Sequence, residues 1–246
     1  MELNNIYLGN AYELIKQVPD KSIDLIITDP PYEIEGIHGS GILKERNNAN
    51  AFNQIAESEL NKGIDYKILD DFMRVMKIPN IYIFCNKPQL PIYYKYFVEK
   101  HNLNWEIIIL AKTDPIPFCG THYLVDKEYC LFFWKTGAYL NVPFERAKTV
   151  YITKRNVKDK EDYKHPTIKA IDLVEMLAKN SIDFELGGGI IFDPFVGSGT
   201  SCLVAKRIGC KYLGFEINPE YYEIAVKRLN GENAKGELNL FDISYD

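Results

Sequence analysis

The sequence predicts an α/β fold in which a mostly parallel, twisted sheet is covered by helices on both faces. Short segments rich in Ile, Tyr, Phe and Val alternate with segments of helical periodicity almost from end to end. The strand-like segments are continuously apolar, as expected for strands that are buried on both faces. The length of 246 residues, 46% of them hydrophobic, fits one domain over residues 1–246 better than two full domains.

The individual elements follow in chain order. Six segments have the composition of strands: IDLIIT, NIYIFC, WEIIILAK, EYCLFFWK, GIIFD and KYLGFE. Three segments have helical periodicity: DYKILDDFMRVMK, TIKAIDLVEMLAKN (167–180) and NPEYYEIAVKRL (218–229). In the last of these, Asn218 is expected to cap the helix N-terminus, and Pro219 suits the first helical position.

Two stretches interrupt this alternation. Residues 33–63 are rich in glycine and asparagine, and such a long loop in a compact domain is expected to be mobile or functional. Residues 137–166 show no clear periodicity. The overlapping stretch 145–169 holds eight basic side chains against four acidic ones. This local excess suits either a surface that faces phosphates or a solvated loop.

Composition excludes several classes of protein. The net charge of −5 argues against a protein that coats nucleic acid indiscriminately. No apolar run is long enough for a membrane span, and the N-terminus has no signal core, so we expect a cytoplasmic protein without membrane contact. The five cysteines form no CxxC pair and are expected to be free thiols, and the four scattered histidines predict no metal site.

The segment TDPPY combines a carboxylate with a stiff turn directly after a predicted strand. Ligands of open parallel sheets bind at the carboxyl ends of the strands, which is where Asp29 falls. Pro30 and Pro31 fix the backbone and remove two donors, so the nearby carbonyls stay free to accept hydrogen bonds. Tyr32 offers a ring for stacking on a flat heterocycle. The alternative is a plain turn that ends a strand, but the pattern suits an amino group as ligand.

A second strand end carries a glycine loop. The strand that ends at Asp193 is followed by Gly197 and Gly199, and a helix is predicted to start at about Thr200. No lysine follows the last glycine, so the loop is not a Walker A motif. Glu216 ends the next strand about 20 residues later, where an acid can bind both ribose hydroxyls. The pattern indicates an adenosine-containing cofactor, and the two strand ends together suit methyl transfer from S-adenosylmethionine to an exocyclic amine.

With these motifs in this order, the chain resembles the DNA amino-methyltransferases of the β arrangement, in which DPPY precedes the glycine loop. The quoted blocks are IYLGNAYELIKQVPDKSIDLIITDPPY, HPTIKAIDLVEMLAKNSI and FDPFVGSGTSCLVAKRIGCKYLGFEINPEYYEIAVKRL. The resemblance implies a Rossmann-like S-adenosylmethionine-dependent methyltransferase fold. It implies catalytic roles for Asp29, Pro30, Pro31 and Tyr32. The cofactor contacts that it implies are Asn10, Ala11, Asp29, His165, Thr167, Lys169, Asp193, Phe195, Gly197, Ser198, Gly199, Thr200 and Glu216.

The chain departs from the family pattern at two positions. Asn10 stands where the family usually has an aspartate, which implies a weaker or altered contact with the adenine amino group of the cofactor. Ala170 replaces a proline, which we expect to have a small effect on backbone stiffness. Neither departure removes a motif.

The resemblance implies site-specific methylation of double-stranded DNA at the N6 amino group of adenine, with the target base flipped out of the helix. Asp29 and the Pro30 carbonyl would each accept one hydrogen from that amine. Adenine is favoured by analogy alone, since related cytosine enzymes more often have serine before the prolines. Three alternatives stay open: an N4-cytosine DNA methyltransferase, a non-catalytic DNA-binding relative, and a methyltransferase for RNA or a small molecule.

The family places target recognition in the segment that corresponds here to residues 137–164. We therefore expect Lys154, Arg155 and Lys158 to contact DNA phosphates, with a contribution from the loop 33–63. The resemblance leaves open a homodimer and a partner restriction endonuclease of a restriction-modification pair.

Overall fold

The structure is a computed structural model that describes residues 1–32, 63–115, 123–154 and 168–232. The predicted loop 33–63 therefore lies outside the described residues except for Gly63. The same holds for the middle of the basic stretch, residues 155–167.

Eight strands within the described residues form one sheet. They are β1 (Asn5–Leu8), β2 (Leu25–Thr28), β3 (Asn80–Cys85), β4 (Asn104–Lys112), β5 (Lys127–Trp134), β6 (Val150–Thr153), β7 (Ile190–Asp193) and β8 (Lys211–Glu216). The strand order is β1-β8-β7-β2-β3-β5-β4-β6. Only β5 among these runs antiparallel to its neighbours, β3 and β4, and the other pairings are parallel. The predicted mostly parallel sheet is confirmed.

Six α-helices accompany the sheet in the described part of the chain. They are α1 (Ala11–Leu14), α2 (Ile68–Val75), α3 (Leu90–Tyr94), α4 (Ile171–Ser181), α5 (Thr200–Arg207) and α6 (Pro219–Leu229). A π-helical segment, Lys95–Lys100, continues α3, and short 3-10 turns cover Ile15–Gln17 and Phe144–Arg146. The predicted cap of α6 is confirmed, because the Asn218 side chain accepts hydrogen bonds from two backbone amides of the first turn.

The helices cover both faces of the sheet, as predicted. Successive side chains of a strand point to opposite faces, and β2 shows this directly. Leu25 and Ile27 pack into an apolar cluster with α4 and α5, whereas Ile26 packs into a second cluster with α1 and α2. Every residue of β2 is buried. The sheet is thus the shared middle layer between two apolar cores.

Two strands were not anticipated from the sequence. β1 and β6 lie at the two edges of the sheet. Within β1 only Ile6 is fully buried, and in β6 Val150 and Ile152 are exposed. Edge strands that are only half covered lack the continuous apolar pattern by which the central strands were recognised. None of the helices in the described ranges is long and apolar enough to span a membrane.

Candidate active site

A cavity of about 390 Å³ opens at the carboxyl ends of the central strands. Both predicted strand ends line it: the TDPPY turn after β2, and the glycine loop after β7. They meet because β2 pairs directly with β7 on one side and with β3 on the other. The chain continues from β2 to β3 on one side and returns at β7 on the other side of β2. Such a switch in strand order leaves a crevice at the carboxyl ends of the strands, where open α/β sheets bind ligands.

A buried hydrogen bond ties the two strand ends together. The Thr28 hydroxyl, at the end of β2, donates to Asp193 Oδ1 at the end of β7 over 2.8 Å. Asp193 also accepts from the Phe195 backbone amide at 3.0 Å and from the Ser201 hydroxyl at 2.5 Å. Burial raises the pKa of Asp193 to about 6, and these three donors oppose that rise. Asp193 therefore fixes the start of the glycine loop against β2.

The glycine loop adopts the backbone that its sequence predicts. Gly197 and Gly199 have φ values of 52° and 86°, a region that favours glycine. A Cβ on Gly199 would lie 3.0 Å from the Ala225 Cβ on α6, so the loop also packs closely against that helix. Beneath it, the fully buried Arg228 donates to the Ser198 carbonyl at 2.8 Å and to the Thr200 hydroxyl at 3.0 Å. The loop is therefore held from below by a side chain of α6.

Glu216 closes the cavity on the side of β8. Its Oε2 accepts from the Gly197 backbone amide at 2.7 Å, and its Oε1 accepts from the Asn218 amide at 2.8 Å. Burial raises the pKa of Glu216, and these backbone hydrogen bonds act against the rise. Each carboxylate oxygen has a second lone pair that remains available to a hydroxyl donor. The group is thus fixed where two ribose hydroxyls could bind.

The TDPPY turn places Asp29 in a polar cluster. The Tyr32 hydroxyl donates to Asp29 Oδ1 at 2.8 Å, and the Lys169 ammonium lies 2.9 Å from Oδ2. Burial raises the pKa of Asp29, while Lys169 opposes the rise. Burial lowers the pKa of Lys169, but Asp29 and Glu128 outweigh it and hold that pKa well above its ordinary value. Lys169 therefore remains a cation beside an acidic group.

The two prolines differ in their surroundings. The Pro31 carbonyl accepts a hydrogen bond from the side-chain amide of the fully buried Gln89 at 3.1 Å. No donor among the described residues bonds to the Pro30 carbonyl. Gln89 therefore anchors the turn at Pro31, and the Pro30 carbonyl is left as an acceptor next to Asp29.

The structure brings together most of the predicted site residues that it describes. Asn10 and Ala11 also line the cavity, and Asn10 Oδ1 caps α1 by accepting from the Tyr12 amide at 2.9 Å. Four predicted contacts lie outside the described residues: Arg155, Lys158, His165 and Thr167. Lys169, expected beside the cofactor, lies at the Asp29 end of the cavity.

Sequence reasoning missed three residues that support the site: Gln89, Glu128 and Arg228. Glu128 was read only as the first residue of an apolar strand, although an acid at that position is unusual for a buried strand. The helical periodicity of residues 218–229 gives no sign that Arg228 is buried. Its burial depends on how closely the glycine loop approaches this helix, which no local pattern reveals.

Two basic side chains of the stretch 145–169 form contacts within the protein, so they are not available to face phosphates. Arg146 donates from Nε to the Asn180 side chain at 2.8 Å, and Lys169 is used inside the protein. Lys148 and Lys154 are exposed. In the described part of the chain no cluster of His, Cys, Asp or Glu is arranged to hold a metal ion, and Cys85, Cys130, Cys202 and Cys210 are free and buried.

The cavity fits a nucleoside-bearing cofactor such as S-adenosylmethionine. A glycine loop allows close approach of the backbone, and Glu216 presents a fixed carboxylate on the neighbouring strand. Tyr12 and Phe195, whose rings meet edge to face with centroids 6.4 Å apart, add an aromatic wall. The size and the donor and acceptor set of the cavity are therefore compatible with such a ligand.

Comparison with known proteins is consistent with this geometry. A family model described as DNA methylase, for N6 and N4 methyltransferases, matches residues 23–227. The chain is 30% identical to the type II methyltransferase M.HinfI of Haemophilus influenzae, over 92% of this chain and 68% of that protein. It is 28% identical to M2.DpnII of Streptococcus pneumoniae, over 92% and 89%. With M.BamHI of Bacillus amyloliquefaciens, at 25% identity, the match spans 96% of this chain but only 59% of the relative.

Solved structures show the same architecture. The complex of M1.HpyAVI with S-adenosylmethionine superposes with a TM-score of 0.60 at 25% identity, over 92% of this chain and 99% of that one. The cytosine-N4-specific PvuII DNA methyltransferase superposes with a TM-score of 0.65 at 16% identity, over 90% and 84%. The second likeness concerns the fold alone.

Removing the hydroxyl that joins the two strand ends should destabilise the protein in a pH-dependent way. Thr28→Val deletes one donor to the Asp193 carboxylate, so we expect a loss of about 1–2 kcal/mol in the free energy of unfolding. The raised pKa of Asp193 means that its stabilising contribution is complete below about pH 4 and is lost as the pH rises through about 6. Without the Thr28 donor that pKa rises further, so the loss should be larger at pH 8 than at pH 5.

Urea unfolding of the wild type and the variant at both pH values measures this difference. Thr28→Ser keeps the hydroxyl and is the matched control, for which we expect no change in the pH dependence. An equal loss at the two pH values in Thr28→Val would show that Asp193 is not coupled to the hydroxyl.

Proposed function

The chain belongs to the N6/N4-methyltransferase family of DNA methylases, and we propose that it methylates the N6 amino group of adenine at a specific site in double-stranded DNA. S-adenosylmethionine is the cofactor. The observation that carries the proposal is that Asp29 and Pro30 line the same cavity as the glycine loop after Asp193 and the Glu216 carboxylate. An acceptor of amine hydrogens and a nucleoside site are thereby brought within reach of each other.

The residues on the β7 and β8 side would hold the cofactor. Glu216 would accept hydrogen bonds from the ribose hydroxyls, and Gly197 and Gly199 would let the backbone approach the ligand. When bound, S-adenosylmethionine supplies a methyl group that its sulfonium activates toward a nucleophile. The ring of Phe195 would limit the access of water from this side.

The residues of the TDPPY turn would orient the target amine. Asp29 and the Pro30 carbonyl would each accept one N–H of the amino group, which leaves the nitrogen lone pair free for attack. The turn is rigid because two prolines and the Gln89 hydrogen bond restrain it. Such positioning, together with a carboxylate beside the developing positive charge, is an established source of rate acceleration.

An amine inside a DNA duplex cannot reach this cavity, so the target base would have to leave the stack, at a cost of a few kcal/mol. Tyr32 would then stack on the flipped base. In the structure the Tyr32 hydroxyl is bonded to Asp29. Because Lys169 contacts Oδ2, the incoming amine would have to replace the Tyr32 hydroxyl as the donor to Oδ1.

Nucleoside analysis tests the proposed reaction and the choice of base. DNA incubated with the protein and S-adenosylmethionine, then digested to nucleosides and analysed by mass spectrometry, should contain N6-methyladenine. N4-methylcytosine without N6-methyladenine would replace adenine by cytosine as the target. Absence of any methylated nucleoside from DNA of varied sequence would overturn the proposed function.

Substitution of the carboxylate should separate binding from catalysis. Asp29→Ala removes the acceptor for the amine but none of the residues on the β7 and β8 side. We expect retained binding of S-adenosylmethionine by titration calorimetry and a loss of turnover of at least about 100-fold. Asp20→Ala is the control, since Asp20 is an exposed aspartate that pairs with Arg74 and does not line the cavity. Wild-type turnover in Asp29→Ala would refute the proposed mechanism.

We further propose that the segment 137–164 helps to recognise DNA, through Lys154, Arg155 and Lys158. Replacing all three by Gln should weaken binding to duplex DNA and make its dependence on salt shallower by up to about 3 in the log–log slope, with cofactor binding unchanged. Lys135 and Lys211 are exposed at the amino-terminal ends of the parallel strands, on the side of the sheet opposite to the cavity. The double Gln variant at these positions is therefore the control. Equal DNA affinity in the triple variant and the control would remove this role.

A further inference from the structure

Lys169 joins three parts of the fold that are far apart in the sequence. Its ammonium lies 2.9 Å from Asp29 Oδ2, 3.1 Å from Glu128 Oε2 and 3.2 Å from the Tyr32 hydroxyl. The side chain is only 10% exposed. It also lies 5.0 Å from the centroid of the Phe84 ring, so its remaining surroundings are partly aromatic. The lysine is therefore a buried cation between two carboxylates.

Glu128 is held from its other side as well. It lies on β5 opposite Leu110 of β4, and the Lys112 ammonium contacts its second oxygen. Lys169 lowers the pKa of Glu128 to about 2, with Lys112 adding to the effect against the cost of burial. The series Lys112, Glu128, Lys169 and Asp29 thus alternates in charge from the sheet to the cavity. Each of these partly buried charges has a partner of opposite sign.

On the basis of the proposed function, we infer that Lys169 and Glu128 are positioning residues for amino-methyl transfer. Lys169 binds one oxygen of the Asp29 carboxylate and keeps the group ionised and oriented toward the cavity. Glu128 holds the Lys169 ammonium in place, and its negative charge partly offsets the electrostatic effect of Lys169 on Asp29. Neither side chain needs to touch the substrate for this role.

The inference follows from what the carboxylate must do. A protonated Asp29 would present an O–H to the amine, whereas an ionised one accepts through both oxygens. Burial alone favours the protonated form, and the adjacent ammonium opposes it. Glu128 adds a negative charge nearby, which acts in the same direction as burial. Removing Lys169 and removing Glu128 should therefore shift the titration of Asp29 in opposite directions.

Other groups around Asp29 come from β3, β5, β7 and α3. The Cys85 and Cys130 thiols are buried and their pKa values are raised, as is that of the Tyr93 phenol, so all three stay neutral near pH 7. Asp193 is a neighbouring carboxyl whose pKa burial also raises, to about 6. An experiment that follows the titration of Asp29 must therefore distinguish it from the titration of Asp193.

The test compares Lys169→Met with Glu128→Gln, which remove one charge each with little change in size. We expect the acidic limb of the pH profile of kcat/KM, measured on duplex DNA, to move up by about one pH unit in Lys169→Met and down in Glu128→Gln. Lys169→Arg should restore the wild-type limb in part. The partly exposed pair of Lys179 and Glu175 on α4 offers matched controls, since Lys179→Met and Glu175→Gln should leave the limb unchanged.

A second measurement does not depend on activity. The carboxyl carbons of labelled aspartates can be titrated by NMR in the free protein, with Asp29→Asn and Asp193→Asn used to assign the two signals. We expect the Asp29 pKa to be highest in Lys169→Met, intermediate in the wild type and lowest in Glu128→Gln. If both variants left this pKa unchanged, or moved it in the same direction, the inference would be overturned.

The two proposals fail in different ways. A wild-type protein that methylates no DNA refutes the proposed function and with it the role assigned to the two residues, whatever the order of the pKa values. A wild-type protein that methylates DNA normally, with an Asp29 titration that neither substitution moves, refutes only the positioning role.

Discussion

The direct pairing of β2 with β7 is the constraint on which the rest of the site depends. It brings Asp29 and Asp193, which are far apart in the sequence, to the same edge of the sheet, and the Thr28 hydroxyl locks that arrangement. Were another strand inserted between them, the strand spacing of about 4.8 Å would separate the TDPPY turn from the glycine loop. Parallel pairing and the position of the switch in strand order thus determine which chemistry is possible at this crevice.

Electrostatic balance is the second requirement that the fold meets. A carboxylate on the wall of a partly apolar cavity is costly to ionise, and the chain supplies a lysine from the start of α4 rather than from the neighbouring turn. That lysine is in turn matched by an acid of the antiparallel strand β5. The antiparallel direction of β5 therefore has a chemical consequence, because it brings the first residues of this strand, including Glu128, next to the carboxyl end of β3.

The sequence was sufficient to predict the central strands, the helices on both faces and the two strand ends that meet. These elements are specified locally: continuous apolar segments give β2, β7 and β8, and Asn218 with Pro219 gives the start of α6. It was not sufficient for the edge strands or for the contact between Lys169 and Asp29. The resemblance to the family's HPTxKP block places Lys169 beside the cofactor. Its contact with the Asp29 carboxylate depends on how α4 packs against the sheet, which the sequence alone does not show.

The hydrogen bond from the Tyr32 hydroxyl to Asp29 has a consequence for discrimination among bases. The phenol already donates to the Asp29 oxygen that, in the proposed reaction, would accept from an exocyclic amine. Entry of an amino-bearing base then exchanges one donor for another at little net cost. A base that brings no N–H donor to this oxygen would displace the phenol and leave a desolvated acceptor without a partner, a penalty of about 1–3 kcal/mol. The proposed site would thus penalise a base that brings no donor to Asp29.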